Sequence, residues 1–194
     1  MAEATAPDYG CGVRTRTPQY LRGTSIASDR LVLRAFQSGD VADIFAAIDR
    51  TMARFMVWDP PSSLAAFQST AADWESRMLA GTDLPLVIRL KSDDTFLGMA
   101  TMQNLDTAEP RIGVWMREGA HGKGFGREAG QVALQWAATT LGFAAVHYPV
   151  VAGDIPSRRL AEALGGIKGE TNTHRKASGV ELRVMDYRIP VKGA

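Results

Sequence analysis

Cysteine is almost missing from this chain: Cys11 stands alone among 194 residues. No intramolecular disulfide can form, and a reducing compartment is expected. Neither sign of charge dominates, with 22 Lys and Arg against 21 Asp and Glu, so the basic face of a nucleic-acid binder is not expected. No apolar run approaches the roughly 20 residues a membrane span needs. Met1 to Gly10 have neither the basic start nor the apolar stretch of a secretory leader. Internal repeats and low-complexity tracts are also missing. The expectation is a cytoplasmic chain whose 45% apolar content suffices for one core. Residues 1–24, rich in Gly, Pro, Thr and Arg, read as an N-terminal extension, and residues 25–194 as one domain.

Glycine, by contrast, is concentrated at one point. Ile112-Gly113-Val114-Trp115-Met116 reads as a short strand, and Gly122, Gly124 and Gly126 then alternate just before a helical pattern. Without Cβ atoms in the way, backbone amides can crowd one spot. At a helix N-terminus those amides and the helix dipole attract an anion. Lys123 and Arg127 add positive charge. The stretch therefore reads as a phosphate or pyrophosphate pocket, with a plain glycine-rich connection as the alternative. A Walker A loop is ruled out, because Lys123 is followed by Gly124 rather than Ser or Thr. Gly124-x-Gly126-x-x-Ala129 matches the dinucleotide pattern, but the acidic residue that pattern needs falls only loosely at Asp154, and the preceding strands look antiparallel.

The rest of the pattern is mixed. Leu31, Leu33 and Ala35 alternate with Arg30, Val32 and Arg34 as in a strand, and Asp40 starts a helix carrying Val41, Ile44, Phe45 and Ile48. Thr51 to Met56 continue as a short helical piece, and Pro60-Pro61 force a loop. Ser62 or Ser63 caps a helix striped with Leu64, Phe67, Ala71, Trp74 and Met78. Strands follow at 84–90, 95–102 and 111–116, with Gly98 marking a bulge or close packing. A long helix follows the glycine loop. The strand Ala145 to Val151 contains Pro149 and so needs an open side. Asp154-Ile155-Pro156-Ser157 opens a helix that Gly165-Gly166 closes, and a final hairpin is expected over 167–189.

His121-Gly122-Lys123-Gly124-Phe125-Gly126 resembles the pyrophosphate-binding signature [QR]-x-x-G-x-[GA] of the GCN5-related N-acetyltransferases (GNAT). Arg30-Leu31-Val32-Leu33-Arg34, Ile112-Gly113-Val114-Trp115 and Glu128-Ala129 look like its RimJ/RimL branch. The resemblance spans residues 28–190. It implies an α/β (mixed α+β) domain of the GNAT fold, with a mostly antiparallel sheet, a splayed parallel strand pair and helices on both faces. It also implies acetyl-CoA as cofactor and, as reaction, N-acetylation of a protein or peptide α-amine. Acetylation of a small amine (antibiotic, polyamine or amino-acid conjugate) and a non-catalytic acyl-CoA sensor are the alternatives. A homodimer is compatible with it, and no metal is expected.

By the same resemblance, Gly122, Lys123, Gly124, Phe125, Gly126 and Arg127 hold pyrophosphate together with His121, which stands where the family has Gln or Arg. Val114, Trp115 and Met116 present main chain to the acetyl group. Asp154, in place of the family's Asn, and Arg159 complete the cofactor set. Ser157 is the expected proton donor, since the tyrosine that many relatives carry four residues later is here Ala161. The family's glutamate before Ile-Gly is here Arg111, which leaves Glu109 and His147 as candidate bases. Trp58, Arg111 and His174 are expected toward the acceptor, and His174 is a third base by its chemistry alone.

Overall fold

The computed structural model describes residues 18–48 and 50–191. Its sheet has eight strands: β1 (Ser25–Ala27), β2 (Leu31–Ala35), β3 (Leu84–Leu90), β4 (Phe96–Gln103), β5 (Arg111–Met116), β6 (Ala145–Val151), β7 (Ile167–Arg175) and β8 (Glu181–Pro190), in the order β1-β2-β3-β4-β5-β6-β8-β7. Every neighbouring pair is antiparallel except β5 and β6.

The period-2 alternation of β2 sends Leu31, Leu33 and Ala35 inward. They meet α5 (Phe125–Leu141), whose Ala129, Ala133 and Ala137 are fully buried and let the helix sit close on the sheet. The other face is covered by α2 (Val41–Ala47) and α4 (Leu64–Ala80), where Phe36, Phe67 and Trp74 pack edge to face. Ser63 caps α4 through the Ala66 amide, 3.1 Å away. Phe67, Ala71 and Met78 of the expected stripe are buried, whereas Leu64, in the first turn, is 42% exposed.

Two boundaries differ from the sequence reading. Pro18–Arg22 forms a short helix, α1, whose Leu21 is fully buried in the core, so the packed unit takes in residues placed in the extension. The expected helical piece at 51–56 is the four-residue α3 (Arg50–Ala53) followed by turns. Residues 1–17 of the extension lie outside the described residues.

Asp40 ties the layers together. Its buried carboxylate accepts from both terminal nitrogens of Arg34 (2.7 and 2.6 Å) and from Arg89 (2.9 Å). Burial pushes its pKa up, and these two guanidiniums outweigh that, holding it below the ordinary carboxylate value.

Gly98 lies beside a register shift between β3 and β4, and a Cβ there would come within 2.1 Å of the Trp115 carbonyl oxygen. β4 and β5 can approach this closely only because the residue is glycine.

Candidate active site

The glycine loop leaves β5 and enters α5. Gly122 (φ 73°) and Gly124 (φ 78°) are in the left-handed region, which only glycine enters at little cost. Among the described residues, no acceptor is found for the amides of Gly122 through Arg127; the first helical bond runs from Glu128 to the Gly124 carbonyl, 3.1 Å. A Cβ on Gly122 would meet nothing within 4 Å, so the loop faces open space. Unpaired amides at the start of a 17-residue helix, beside exposed Lys123 and Arg127, are what a pyrophosphate needs. The residues present fit the group. His121 points elsewhere: its Nε2 donates to the Met116 carbonyl (2.8 Å), so that nitrogen braces the loop from behind instead of reaching outward.

Beside the loop the sheet opens. β5 and β6 share one register pair, Arg111 with His147, where the His147 amide donates to the Pro110 carbonyl (2.8 Å). Beyond it the strands part. The amide of residue 147 faces β5, so residue 149 turns its backbone nitrogen the same way. That residue is Pro149, and its missing N–H falls on the unpaired side, as the sequence required.

On the α5 side of the gap lies Tyr148, which sequence reasoning missed. Its hydroxyl, 3% of the residue being exposed, donates to the Val114 carbonyl on β5 (3.3 Å) and also interacts with Ser157. Burial pushes the phenol's pKa well up, so its proton stays in place. Ser157 sits in the first turn of α6 (Ile155–Ala163), capped by Asp154. One Asp154 oxygen accepts the Ser157 amide (3.1 Å) and the other accepts its hydroxyl (2.7 Å). Asp in place of Asn thus gives the serine a charged partner. Arg159 is exposed on the same helix.

Of the trio Val114, Trp115 and Met116, Val114 and Met116 belong to the core beneath α5. The Trp115 ring points to the opposite face and packs on Phe96, centroids 5.9 Å apart. The Trp115 carbonyl faces β4, so the main-chain groups turned toward the gap are those of Val114 and Met116.

The two candidate bases are brought together, with two partners not foreseen. His147 places Nε2 3.1 Å from a Glu109 oxygen and Nδ1 2.5 Å from an Asp186 oxygen. Arg188 donates to both Glu109 oxygens (2.8 and 2.5 Å). That guanidinium is the main reason the Glu109 carboxyl titrates below its usual range, with His147 adding to it. Both ring nitrogens of His147 can donate at once only when the ring carries two protons. The cluster depends on register: β8 sets Arg188 opposite His147 and Asp186 opposite Pro149. Asp186 and Arg188 are two apart on one strand, a weak signal until the pairing is known.

Arg111 is exposed on the strand beside His147. Trp58, 37% exposed, lies on a loop that the far end of the β7–β8 hairpin holds through His174, Lys176 and Ser178, the last also by its amide (2.8 Å to Asp59). His174 Nε2 donates to the Val57 carbonyl (2.8 Å), Lys176 donates to the Ala53 carbonyl (3.0 Å), and the Ser178 hydroxyl donates to Asp59 (2.6 Å). His174 is therefore a clasp on this loop, with its Nε2 turned away from any base role.

An amide cradle at a helix start, next to a parallel strand pair that separates, defines a fold built to take an acyl-coenzyme thioester edgewise. The chain belongs to the GNAT family of acetyltransferases, whose domain model matches residues 30–167. No curated protein sequence matches it. Among solved structures it is similar to RimL, a ribosomal L7/L12 alpha-N-protein acetyltransferase in complex with coenzyme A, at 14% identity and TM-score 0.77 over 88% of this chain and 100% of that one. It is also similar to Mycobacterium smegmatis RimJ in complex with a CoA-disulfide (18%, 0.73, 88% of each chain). A GCN5-related N-acetyltransferase from Brucella melitensis gives 16% and 0.74 over 93% of this chain and 83% of that one. At such identities the likeness establishes the fold. No helix among the described residues is long and apolar enough to cross a membrane.

Proposed function

We propose that this acetyltransferase moves the acetyl group of acetyl-CoA to the α-amine of a protein or peptide. The observation that favours this acceptor is the state of the bases. Glu109 is occupied by Arg188 and His147, and His147 lies between two carboxylates. An α-amine titrates near 8, so an appreciable fraction is already neutral at working pH, while a lysine side chain near 10.4 demands a free base. The site suits the acceptor that needs less help. The neighbouring α-N-protein acetyltransferase fold supports the same reading.

When bound, acetyl-CoA supplies an activated thioester. The amides of Gly122 to Arg127, with Lys123 and Arg127, hold its diphosphate, and the parted edges of β5 and β6 receive the arm. A main-chain N–H among Val114 to Met116 would be the donor for a developing oxyanion. Ser157 Oγ, whose hydroxyl rests on Asp154, turns from it to give its proton to the leaving sulfur and recovers one from solvent. An α-amine that enters neutral sheds its proton only after attack; Glu109 or His147 passes that proton to solvent, and Arg188, which cannot take one up, holds the Glu109 carboxylate in place. Trp58 and Arg111 border the acceptor.

The test uses labelled acetyl-CoA with peptides whose α-amine or lysine is blocked in turn, and a panel of small amines, read by mass spectrometry. Label on free α-amines alone is expected. Label only on small amines overturns the acceptor assignment, and CoA binding without transfer to any amine favours a sensor.

A further inference from the structure

Arg30 looks at first like one more cation for a phosphate, since it stands beside the glycine loop. Its contacts give it another task. Its Nε donates to one Glu128 oxygen (2.7 Å), and Nη2 lies 2.6 Å from the same oxygen. Its Nη1 donates to the Lys123 carbonyl (3.1 Å), and its guanidinium carbon sits 4.5 Å from the centroid of the Phe125 ring. Glu128 is itself anchored on its other oxygen by the Ser28 hydroxyl (2.7 Å) and the Arg30 amide (2.9 Å). Burial works against the charge on Glu128, and these donors outweigh it, holding the carboxyl below its usual range. The positive charge of Arg30 is thus already matched within the protein.

The Lys123 carbonyl and the Gly124 N–H belong to one planar trans peptide unit, so they point in opposite directions. Fixing the carbonyl on Arg30 forces the Gly124 N–H to the far side, among the unpaired amides of the cradle. Left-handed Gly124 has almost no intrinsic preference to stay in that orientation, because glycine adopts both signs of φ with similar ease. An external clamp therefore decides which way the peptide faces.

We propose that Arg30, seated on Glu128 and Ser28, is a positioning residue that locks the Lys123–Gly124 peptide with its N–H toward the coenzyme diphosphate. It acts through the loop and touches neither the coenzyme nor the acceptor. This rests on the acetyl-CoA reading above.

The test is calorimetric titration of CoA into the wild type, Arg30→Ala, Arg30→Lys and Glu128→Gln, with glycine amides followed by NMR on 15N-glycine-labelled protein. Both Arg30 variants should weaken CoA about tenfold, because lysine cannot reach carbonyl and carboxylate as a fork. At saturating CoA the Gly124 amide should lose its wild-type shift change while Gly126 keeps its own, a residue-by-residue split that general loss of stability would not produce. Glu128→Gln should give the same pattern more weakly, and it serves if Arg30→Ala does not fold. Wild-type affinity and an unchanged Gly124 response in folded variants overturn the clamp alone. A wild type that does not bind CoA overturns the acetyl-CoA reading, and the clamp with it.

Discussion

The two sides of the β5–β6 gap are held by different physics. On the donor side, the loop from His121 to Arg127 is shaped by two left-handed glycines, a buried Phe125 and the start of a long helix. On the side proposed for the acceptor, the Trp58 loop is short of buried anchors and is pinned by polar contacts from the end of a distant hairpin. The first is shaped within about 20 consecutive residues, with a single clamp brought in from Arg30. The second depends on contacts more than 100 residues apart in the chain. Local design suits a coenzyme of constant shape, and a clasped loop suits the proposed acceptor side, which can be retuned without touching the donor site.

The contrast can be broken outright at Gly98, where both sides share a strand. Gly98→Ala should drive a methyl into the Trp115 carbonyl and the Met116 Cα, at a cost of about 3 kcal/mol, seen as a large fall in Tm. Next in size, Ser157→Ala should lower thiol release about 100-fold with CoA affinity intact. His147→Gln should cost only about tenfold on an α-amine peptide, since neutral amine is already available. Should the histidine variant be hit harder than the serine one, the acceptor side carries the chemistry and the assignment of roles reverses.

Acidification probes the shared frame. The Asp40 pKa is lowered in the fold, so its contribution to stability is complete above the unfolded value of about 4. It is lost as pH falls through the still lower folded value. The stability gap between wild type and Asp40→Asn should therefore shrink in melts taken from pH 5 down to pH 3. Smallest of all, Ser178→Ala should loosen the loop enough to raise the acceptor KM about threefold or less, leaving kcat and CoA affinity alone.

Legibility in the sequence followed the same divide. The spans of β5 and β6 matched the expectation, as did the Asp154 cap, because propensity, capping and glycine position act over a few residues. Glu109 and His147 were legible as chemistry, but their meeting was not. Pro110 stops β5 at Arg111, and only the pairing of β6 with β5 and β8 brings the carboxylates of Glu109 and Asp186 to one imidazole. Tyr148 was hidden for another reason: a tyrosine in an apolar strand reads as core until a carbonyl across the gap is seen to face it. The Nε2 contacts of His121 and His174 were not legible, since a histidine's type does not reveal that a main-chain carbonyl will claim that nitrogen.

Pro149 carries one more consequence. A sheet with two parallel neighbours tends to zip closed, because each new rung recovers two desolvated groups. Here the next residue of β6 offers a carbonyl but no N–H, so that rung can form only half of its bonds. The parting of the two strands is thus written into the chain as a missing donor, present before any ligand arrives.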